Sequence, residues 1–187
     1  MALIPTTTGY IAPGSTSVGI HGSWFIYSDC TGAGCATVTS PTGTGAFPNV
    51  GGKICTSGMT GTAASYAGGA GVGMELNDGP PQMPYDAFTH GVNGFCFQLS
   101  GTTIPTINVA FTTQNNVDYN AWYEPVSGAG THQVLFTDPG FTQGTETPKQ
   151  ATFESTAVML VQFQIPASLT APVPWDFCID GMTAVTQ

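Results

Sequence analysis

Positive charge is almost absent from this sequence. Its 187 residues include 11 acidic side chains but no arginine and only two lysines, Lys53 and Lys149, so the net charge is −9. Lys and Arg are the side chains that bind phosphate groups, and their scarcity excludes nucleic acid and anionic membrane surfaces as partners. No apolar run approaches the roughly 18 residues of a membrane-spanning helix.

Signals for helices and for disorder are also scarce. The 25 glycines and 14 prolines, together with many Thr, Ser and Val residues, disfavour helices. Hydrophobic residues make up 41% of the chain, which is enough to build a core and excludes a disordered chain. The start MALIPTTTGY has neither the basic residues nor the apolar stretch of a secretory leader. Met1 is therefore interpreted either as a cloned start that replaces a removed leader or as the start of a cytosolic protein.

Short apolar or alternating runs recur along the chain, each bounded by Gly, Pro, Asn or Asp. This number and spacing of runs are typical of an all-β, antiparallel two-sheet β-sandwich, or of a barrel. We find no repeat and no linker, so residues 1–187 are predicted to form a single domain, with one helical turn within 148–156. The predicted strands are 22–29, 51–57, 71–77, 92–99, 104–112, 119–126, 132–137, 157–165 and 174–185.

The alternation of residues within these strands predicts which side chains face the core. In 157–165 the apolar residues Met159, Val161, Phe163 and Ile165 share one face, and Gln162 and Gln164 share the other. The same alternation in the neighbouring strands predicts a non-core face of amides with one carboxylate: Glu75, Asn77, Gln98, Asn108, Gln162 and Gln164. Strand 119–126 adds either Trp122 or Tyr123 to it.

Such a face suits sugars better than it suits ordinary solvent exposure. Amides donate and accept hydrogen bonds in fixed planes, which matches sugar hydroxyls, and aromatic rings stack on the apolar faces of pyranose rings. The pattern predicts a neutral polysaccharide as the ligand, bound by Trp122 or Tyr123 together with Gln98, Gln162, Gln164 and Glu75. The alternative is an ordinary outer sheet face of a protein with little charge.

Five cysteines bear on the compartment in which the protein folds. Cys30 and Cys35 bracket the flexible loop TGAG, which can bring them within disulfide range. We predict this disulfide, and with it an oxidising, extracellular location. Cys96 and Cys178 either pair across adjacent strands or stay buried thiols, and one cysteine is left over on any pairing. No CxxC pair is present, which argues against zinc.

Three segments, GIHGSWFIYSD, YDAFTHGVNGFCFQLSG and VMLVQFQIP…PWDFCIDGM, occur in this order along the chain. Together they resemble the jelly-roll carbohydrate-binding modules and galactose-binding-like domains of bacterial secreted polysaccharide-degrading systems. The resemblance implies a jelly-roll sandwich that binds a glycan, either attached to a larger secreted enzyme or acting alone. It also implies a structural calcium, because an Asp in the last strand commonly ligates calcium in such domains and Asp180 matches that residue. Many relatives have a second acid where this chain has Gly181.

Two other classes of function stay open at this point. A small jelly-roll glycanase needs two carboxylates about 5 to 9.5 Å apart, and Glu75 and Glu124 would provide them if both pointed to the amide-bearing face. A structural subunit of an extracellular fibre or surface assembly would also be poor in charge and rich in Gly and Thr, and its exposed aromatics would be subunit contacts.

Overall fold

The computed structural model describes residues 2–5, 8–28, 33–41, 49–62, 69–115, 120–144, 149–168 and 170–187. Within these ranges the chain forms β-strands and no helix, so none of the described residues belongs to a helix that could cross a membrane. The strands are β1 (Tyr10–Ile11), β2 (Gly22–Ser28), β3 (Thr37–Ser40), β4 (Asn49–Val50), β5 (Lys53–Met59), β6 (Ala70–Glu75), β7 (Val92–Thr103), β8 (Ile107–Thr113), β9 (Trp122–Val126), β10 (Gly130–Leu135), β11 (Thr142–Gln143), β12 (Val158–Ile165) and β13 (Pro174–Thr186).

These strands form two antiparallel sheets, which confirms the predicted all-β sandwich. The seven-stranded sheet has the order β1-β2-β6-β12-β8-β9-β11. The six-stranded sheet has the order β10-β7-β13-β5-β3, with β4 paired to β5 at its edge. Strands distant in sequence therefore become neighbours, and this order decides which polar side chains share a face.

All nine predicted strands are present, with ends that differ by a few residues. The four missed strands, β1, β3, β4 and β11, have only two to four residues, too few for an alternating pattern to be recognised. The helical turn predicted within 148–156 is wrong for its described part, where residues 149–156 form bends and one turn closed by Ala157 N–H and Glu154 O. A single turn without further helical bonds does not propagate, since helix nucleation is unfavourable.

The core lies between the two sheets and is rich in aromatic rings. Phe97 of β7 meets Phe163 of β12 edge to face, with ring centroids 4.9 Å apart. Phe95 and Phe111 stack across the same interface at 5.7 Å. All four are essentially inaccessible to solvent, as their strand phases predict. Burying a large apolar side chain contributes roughly 1.5–3 kcal/mol, so these rings are major contributors to stability.

One glycine allows a β-bulge in the last strand. The register of β13 against β7 shifts between Asp180 and Thr183, and Gly181 stands there with a φ of 58°. An acidic residue in this left-handed conformation would be strained, whereas glycine adopts it freely. The residue after Asp180 therefore serves the bulge and supplies no second carboxylate.

Candidate functional site

The outer face of the seven-stranded sheet carries two rows of side chains, which we call the amide face. The cross-strand registers set both rows. With neighbouring strands about 4.8 Å apart, each row crosses five strands over roughly 19 Å, a span suited to a chain of several sugar rings. The first row is Phe25, Gly73, Gln162, Ala110 and Tyr123, and the second is Tyr27, Gly71, Gln164, Asn108 and Pro125.

Three amides occupy the centre of this face. Asn108, Gln162 and Gln164 are half-buried because they alternate with core residues along their strands. Among the described residues, none forms a hydrogen bond with these three side-chain amides. By contrast, the amides of Gln143 and Gln150 are both engaged within the protein. The central amides therefore keep their donors and acceptors for solvent or for a ligand.

Glycines occupy β6 positions in both rows of the amide face, so no side chain projects there. A Cβ placed on Gly73 would lie 2.5 Å from Cζ of Phe25, so the Phe25 ring reaches over this strand only because the residue is glycine. Gly71 occupies the equivalent position in the second row. With Ala110 on the other side of Gln162, small residues flank this central amide on both neighbouring strands.

Aromatic rings stand at both ends of the amide face. Phe25 and Tyr27 lie on β2, with ring centroids 6.1 Å apart, and Tyr123 lies on β9. Sequence reasoning missed Phe25 and Tyr27. Their signal was the alternation in GSWFIYS, where the buried Trp24 takes the core face and its neighbours take the other.

The choice between Trp122 and Tyr123 is settled by the register of β9 against β8. Tyr123 pairs with Ala110 and lies on the amide face, whereas Trp122 pairs with Phe111 of the core. The Trp122 indole N–H donates to Oε1 of Gln150 at 3.1 Å. Trp122 is therefore not part of the amide face.

Glu75 lies at one end of the amide face, beside a second acid. It pairs with Leu160 across β6 and β12, adjacent to the Gln162 row. Partial burial, followed by the negative charge of Asp78 and a hydrogen bond to it, raises the pKa of the Glu75 carboxyl. Asp78 is held in place by the hydroxyl of Ser23, which donates at 3.0 Å. Glu75 and Asp78 therefore form an acidic pair at the edge of the amide face, outside its two rows.

Glu124 does not join this face. It pairs with the buried Val109, which places it on the core side of β9, and its carboxyl lies against Gly140. Burial and the neighbouring Asp138 carboxyl raise the Glu124 pKa. The Glu75–Glu124 pair considered for a glycanase is therefore not formed, because the two carboxyls lie on opposite faces of the sheet.

Gln98 belongs to the other sheet, and its grouping with Gln162 and Gln164 is wrong. It is exposed on β7, in register with Thr131 and Asp180 on the outer face of the six-stranded sheet. Alternation along a strand predicts the face correctly as "not core". It does not indicate which of the two sheets the strand joins.

The residues around Asp180 do not fit a calcium ion. The Lys53 ammonium forms an ion pair with Asp180 Oδ2 at 2.9 Å, so a cation already faces this carboxylate. Calcium takes six to eight oxygen ligands. No group of three or more acidic, His or Cys side chains placed to hold a metal occurs in the described part of the chain.

A disulfide joins Cys55 and Cys178, which face each other across β5 and β13 with Cα atoms 4.0 Å apart. The alternative pairing of Cys96 with Cys178 is therefore wrong, and Cys96 is a free, half-buried thiol. Cys30 lies outside the described residues, so the Cys30–Cys35 disulfide stays a prediction.

Comparisons with known proteins agree with this architecture. No protein-family model and no curated protein matches the sequence. Among solved structures, the chain is similar to the family 11 carbohydrate-binding module of the cellulosomal cellulase Lic26A-Cel5E of Clostridium thermocellum, with a TM-score of 0.56 and 18% identity over 88% of both chains. A solution structure of CtCBM11 aligns with 99% of this chain and 98% of its own, at a TM-score of 0.45 and 16% identity.

The chain has the fold of a carbohydrate-binding module. The resemblance drawn from the three sequence segments is thereby confirmed for the jelly-roll sandwich. At 18% identity the likeness concerns the fold, and the residues of the amide face have to carry the functional argument themselves.

Proposed function

We propose that the amide face binds a neutral polysaccharide without catalysis. The observation that carries this proposal is the set of three central amides, Asn108, Gln162 and Gln164, which are half-buried and have no hydrogen-bond partner among the described residues. Half-buried amides that remain unpaired in the protein are best satisfied by a ligand that offers hydroxyls on a regular spacing. A polysaccharide chain lying across the strands offers such hydroxyls.

The aromatic rings at the two ends of the amide face support the same ligand. Tyr123 at one end, and Phe25 with Tyr27 at the other, provide planes on which pyranose rings can stack. The two rows contain no charged side chain, and the whole chain carries a net charge of −9. Chains rich in uronate or sulfate would be repelled, so the ligand is neutral.

Binding should be modest in strength. The amide face is an open sheet surface, and each hydrogen bond to a sugar replaces a bond to water, with a net contribution of about 0.5–1.5 kcal/mol. A few such bonds together with stacking correspond to a micromolar or weaker dissociation constant, near −8 kcal/mol at most. Affinity of this order suits a module that holds an enzyme near an insoluble or viscous substrate.

The biological setting proposed here is that of a secreted module. The Cys55–Cys178 disulfide supports an oxidising compartment, since such bonds are rare in the cytosol. The similar solved structure is a module of a cellulosomal cellulase, which supports attachment to a larger polysaccharide-degrading enzyme. Assembly into fibres is the competing proposal, and particle size in solution separates the two, because a binding module stays monomeric.

Affinity electrophoresis in gels that contain soluble neutral glucan, mannan, xylan or galactan tests the proposal. The parent protein should be retarded by at least one polymer. Tyr123→Ala should weaken that retardation roughly tenfold, which is about 1.4 kcal/mol, and Gln162→Ala should weaken it less. Gln98→Ala is the matched control, because it removes an equivalent amide from the opposite sheet.

Urea unfolding of each variant shows whether a loss of binding comes from a loss of structure. Retardation that survives both Tyr123→Ala and Gln162→Ala, or that disappears in Gln98→Ala, would place the site elsewhere. A parent protein that no neutral polymer retards, and that forms filaments, would favour the structural role.

A further inference from the structure

A second concave site lies at one end of the sandwich, away from the amide face. It is a cavity of about 600 Å³, between the start of β7 and the end of β10 on one side and the start of β9 on the other. The segment 151–155 closes a third side. A volume of this size falls within the range of small-molecule sites, about 300–1,000 Å³.

Aromatic rings form the walls of this cavity. Phe136 and Phe153 pack with their ring centroids 4.6 Å apart, and Phe141 meets Phe153 edge to face at 5.1 Å. Trp122 stacks on Phe141 at 5.7 Å with only 21° between the ring planes. Beneath them lies the buried Phe111, which contacts three of these rings. The walls are thus continuous with the rigid core.

Hydrogen bonds fix the orientation of the Trp122 indole. Its N–H donates to Oε1 of Gln150 at 3.1 Å, and the backbone N–H of Gln150 donates to Oε1 of Gln143 at 2.8 Å. Gln143 is buried and donates in turn to the carbonyl of Asn120 at 3.1 Å. A ring held in this way loses little freedom when a ligand stacks on it, which favours binding.

Phe88 stands at the mouth of the cavity with 74% of its surface exposed. Its turn is tied down, because Thr89 donates to the Asp86 carboxylate through its backbone N–H at 2.9 Å and its hydroxyl at 2.7 Å. The N–H groups of Ala87 and Phe88 both point to the carbonyl of Ser155. Phe88 therefore presents an apolar ring, on an ordered turn, at the mouth of the cavity.

The chemistry of the lining selects an uncharged ligand. Among the described residues that line the cavity, none has a charged side chain, and the polar side chains are those of Asn93, Thr137, Thr152, Ser155 and Gln187. Flat apolar walls with a few hydroxyl and amide groups match a molecule that has apolar faces and hydroxyl edges.

We propose that this cavity is a second binding site, which takes a short neutral saccharide or the end of a polysaccharide chain between Phe88 and Trp122. The choice of a saccharide among neutral ligands rests on the function proposed for the amide face. The residues are different, because Trp122 and Tyr123 point to opposite sides of β9. The two sites can therefore be tested separately.

Tryptophan fluorescence detects binding in the cavity separately from binding on the amide face. The chain has three tryptophans, of which Trp24 and Trp175 are buried, while Trp122 is half-buried in the cavity wall. Quenching by acrylamide should therefore report mainly on Trp122. The probes are neutral oligosaccharides of three to six glucose, mannose, xylose or galactose units. At least one should protect Trp122 from quenching in the parent protein.

Phe88→Ala should weaken that protection roughly tenfold, about 1.4 kcal/mol, and because Phe88 is exposed the variant should fold normally. Tyr123→Ala is the matched aromatic control and should leave the protection unchanged. Absence of protection by every probe up to about 10 mM, which corresponds to a binding free energy weaker than about −2.7 kcal/mol, would overturn the proposal. So would protection by benzyl alcohol but by no saccharide.

The outcomes for the two sites are distinguishable. Retardation by a polysaccharide that depends on Tyr123, without protection of Trp122, refutes the cavity site and leaves the proposed function standing. Protection of Trp122 that depends on Phe88, with polysaccharide retardation insensitive to Tyr123→Ala, refutes the amide face and supports the cavity.

Discussion

Removing the Cys55–Cys178 disulfide should destabilise the protein strongly. The two cysteines are 123 residues apart in sequence, so their bond closes a very long loop in the unfolded chain. In the chain-entropy treatment a loop of this length corresponds to about 5 kcal/mol, and native disulfides in secreted domains typically contribute about 2–5 kcal/mol. Because the total stability of a domain is about 5–15 kcal/mol, this loss would be a large share of it.

The perturbation is the double variant Cys55→Ala/Cys178→Ala, and the assay is equilibrium unfolding in urea. The midpoint should fall by an amount equivalent to at least about 2 kcal/mol. Cys96→Ala is the control, since Cys96 is a free thiol on the neighbouring strand and its loss breaks no crosslink. Thiols are also counted in the parent protein under denaturing, non-reducing conditions. One free thiol is expected if the predicted Cys30–Cys35 bond also forms, and three if it does not.

If the free energy of unfolding of the double variant lies within about 0.5 kcal/mol of that of the parent protein, the entropic reasoning is refuted. Five free thiols in the parent protein would refute the disulfide itself.

Three further predictions concern ions and protons. Chelation should leave the melting temperature unchanged. Asp180→Ala breaks the ion pair with Lys53 and should lower the free energy of unfolding by no more than about 1 kcal/mol. A clear drop in melting temperature on adding chelator would support a bound calcium ion instead. The raised pKa values of Glu75 and Glu124 mean that the folded state binds more protons than the unfolded chain above the ordinary Glu pKa of 4.5. The free energy of unfolding should therefore fall as the pH rises from about 4 through the raised pKa values. Urea titrations at several pH values measure this decline, and Glu124→Gln should make it less steep. An unchanged pH dependence in Glu124→Gln would contradict the raised pKa of Glu124. Retardation by neutral polysaccharide should not change between low and high salt, because the two rows of the amide face carry no charge; a steep loss with salt would point to an ionic contact.

Local alternation in the sequence was sufficient to predict the nine longer strands and the core side of most of them. In β12 the alternation of Val161 and Phe163 with Gln162 and Gln164 is the pattern that the structure has. This succeeds because side-chain direction along a strand depends only on the backbone of that strand. The same holds for β7, where the buried Phe95, Phe97 and Leu99 alternate with the half-buried Cys96 and the exposed Gln98.

The order of strands could not be derived in this way. Gln98 and Gln162 both read as polar residues on a non-core face, yet β7 and β12 lie in different sheets, so the two amides are on opposite sides of the molecule. Cys178 likewise has two neighbouring strands, and only the register shows that it faces Cys55. Which strand pairs with which depends on the whole core, and no short segment encodes it.

The two outer faces of the sandwich use their polar groups differently. On the six-stranded sheet three contacts join outward-facing groups within the protein: the Cys55–Cys178 disulfide, the Lys53–Asp180 ion pair and the hydrogen bond that the Thr102 hydroxyl donates to Asp176 at 2.6 Å. On the seven-stranded sheet the central amides have no such partners among the described residues. The crosslink and the ion pair therefore lie on one sheet, and the three central amides, whose hydrogen-bonding groups the protein leaves available, lie on the other. Under the proposed function, this second sheet is the one that binds the polysaccharide.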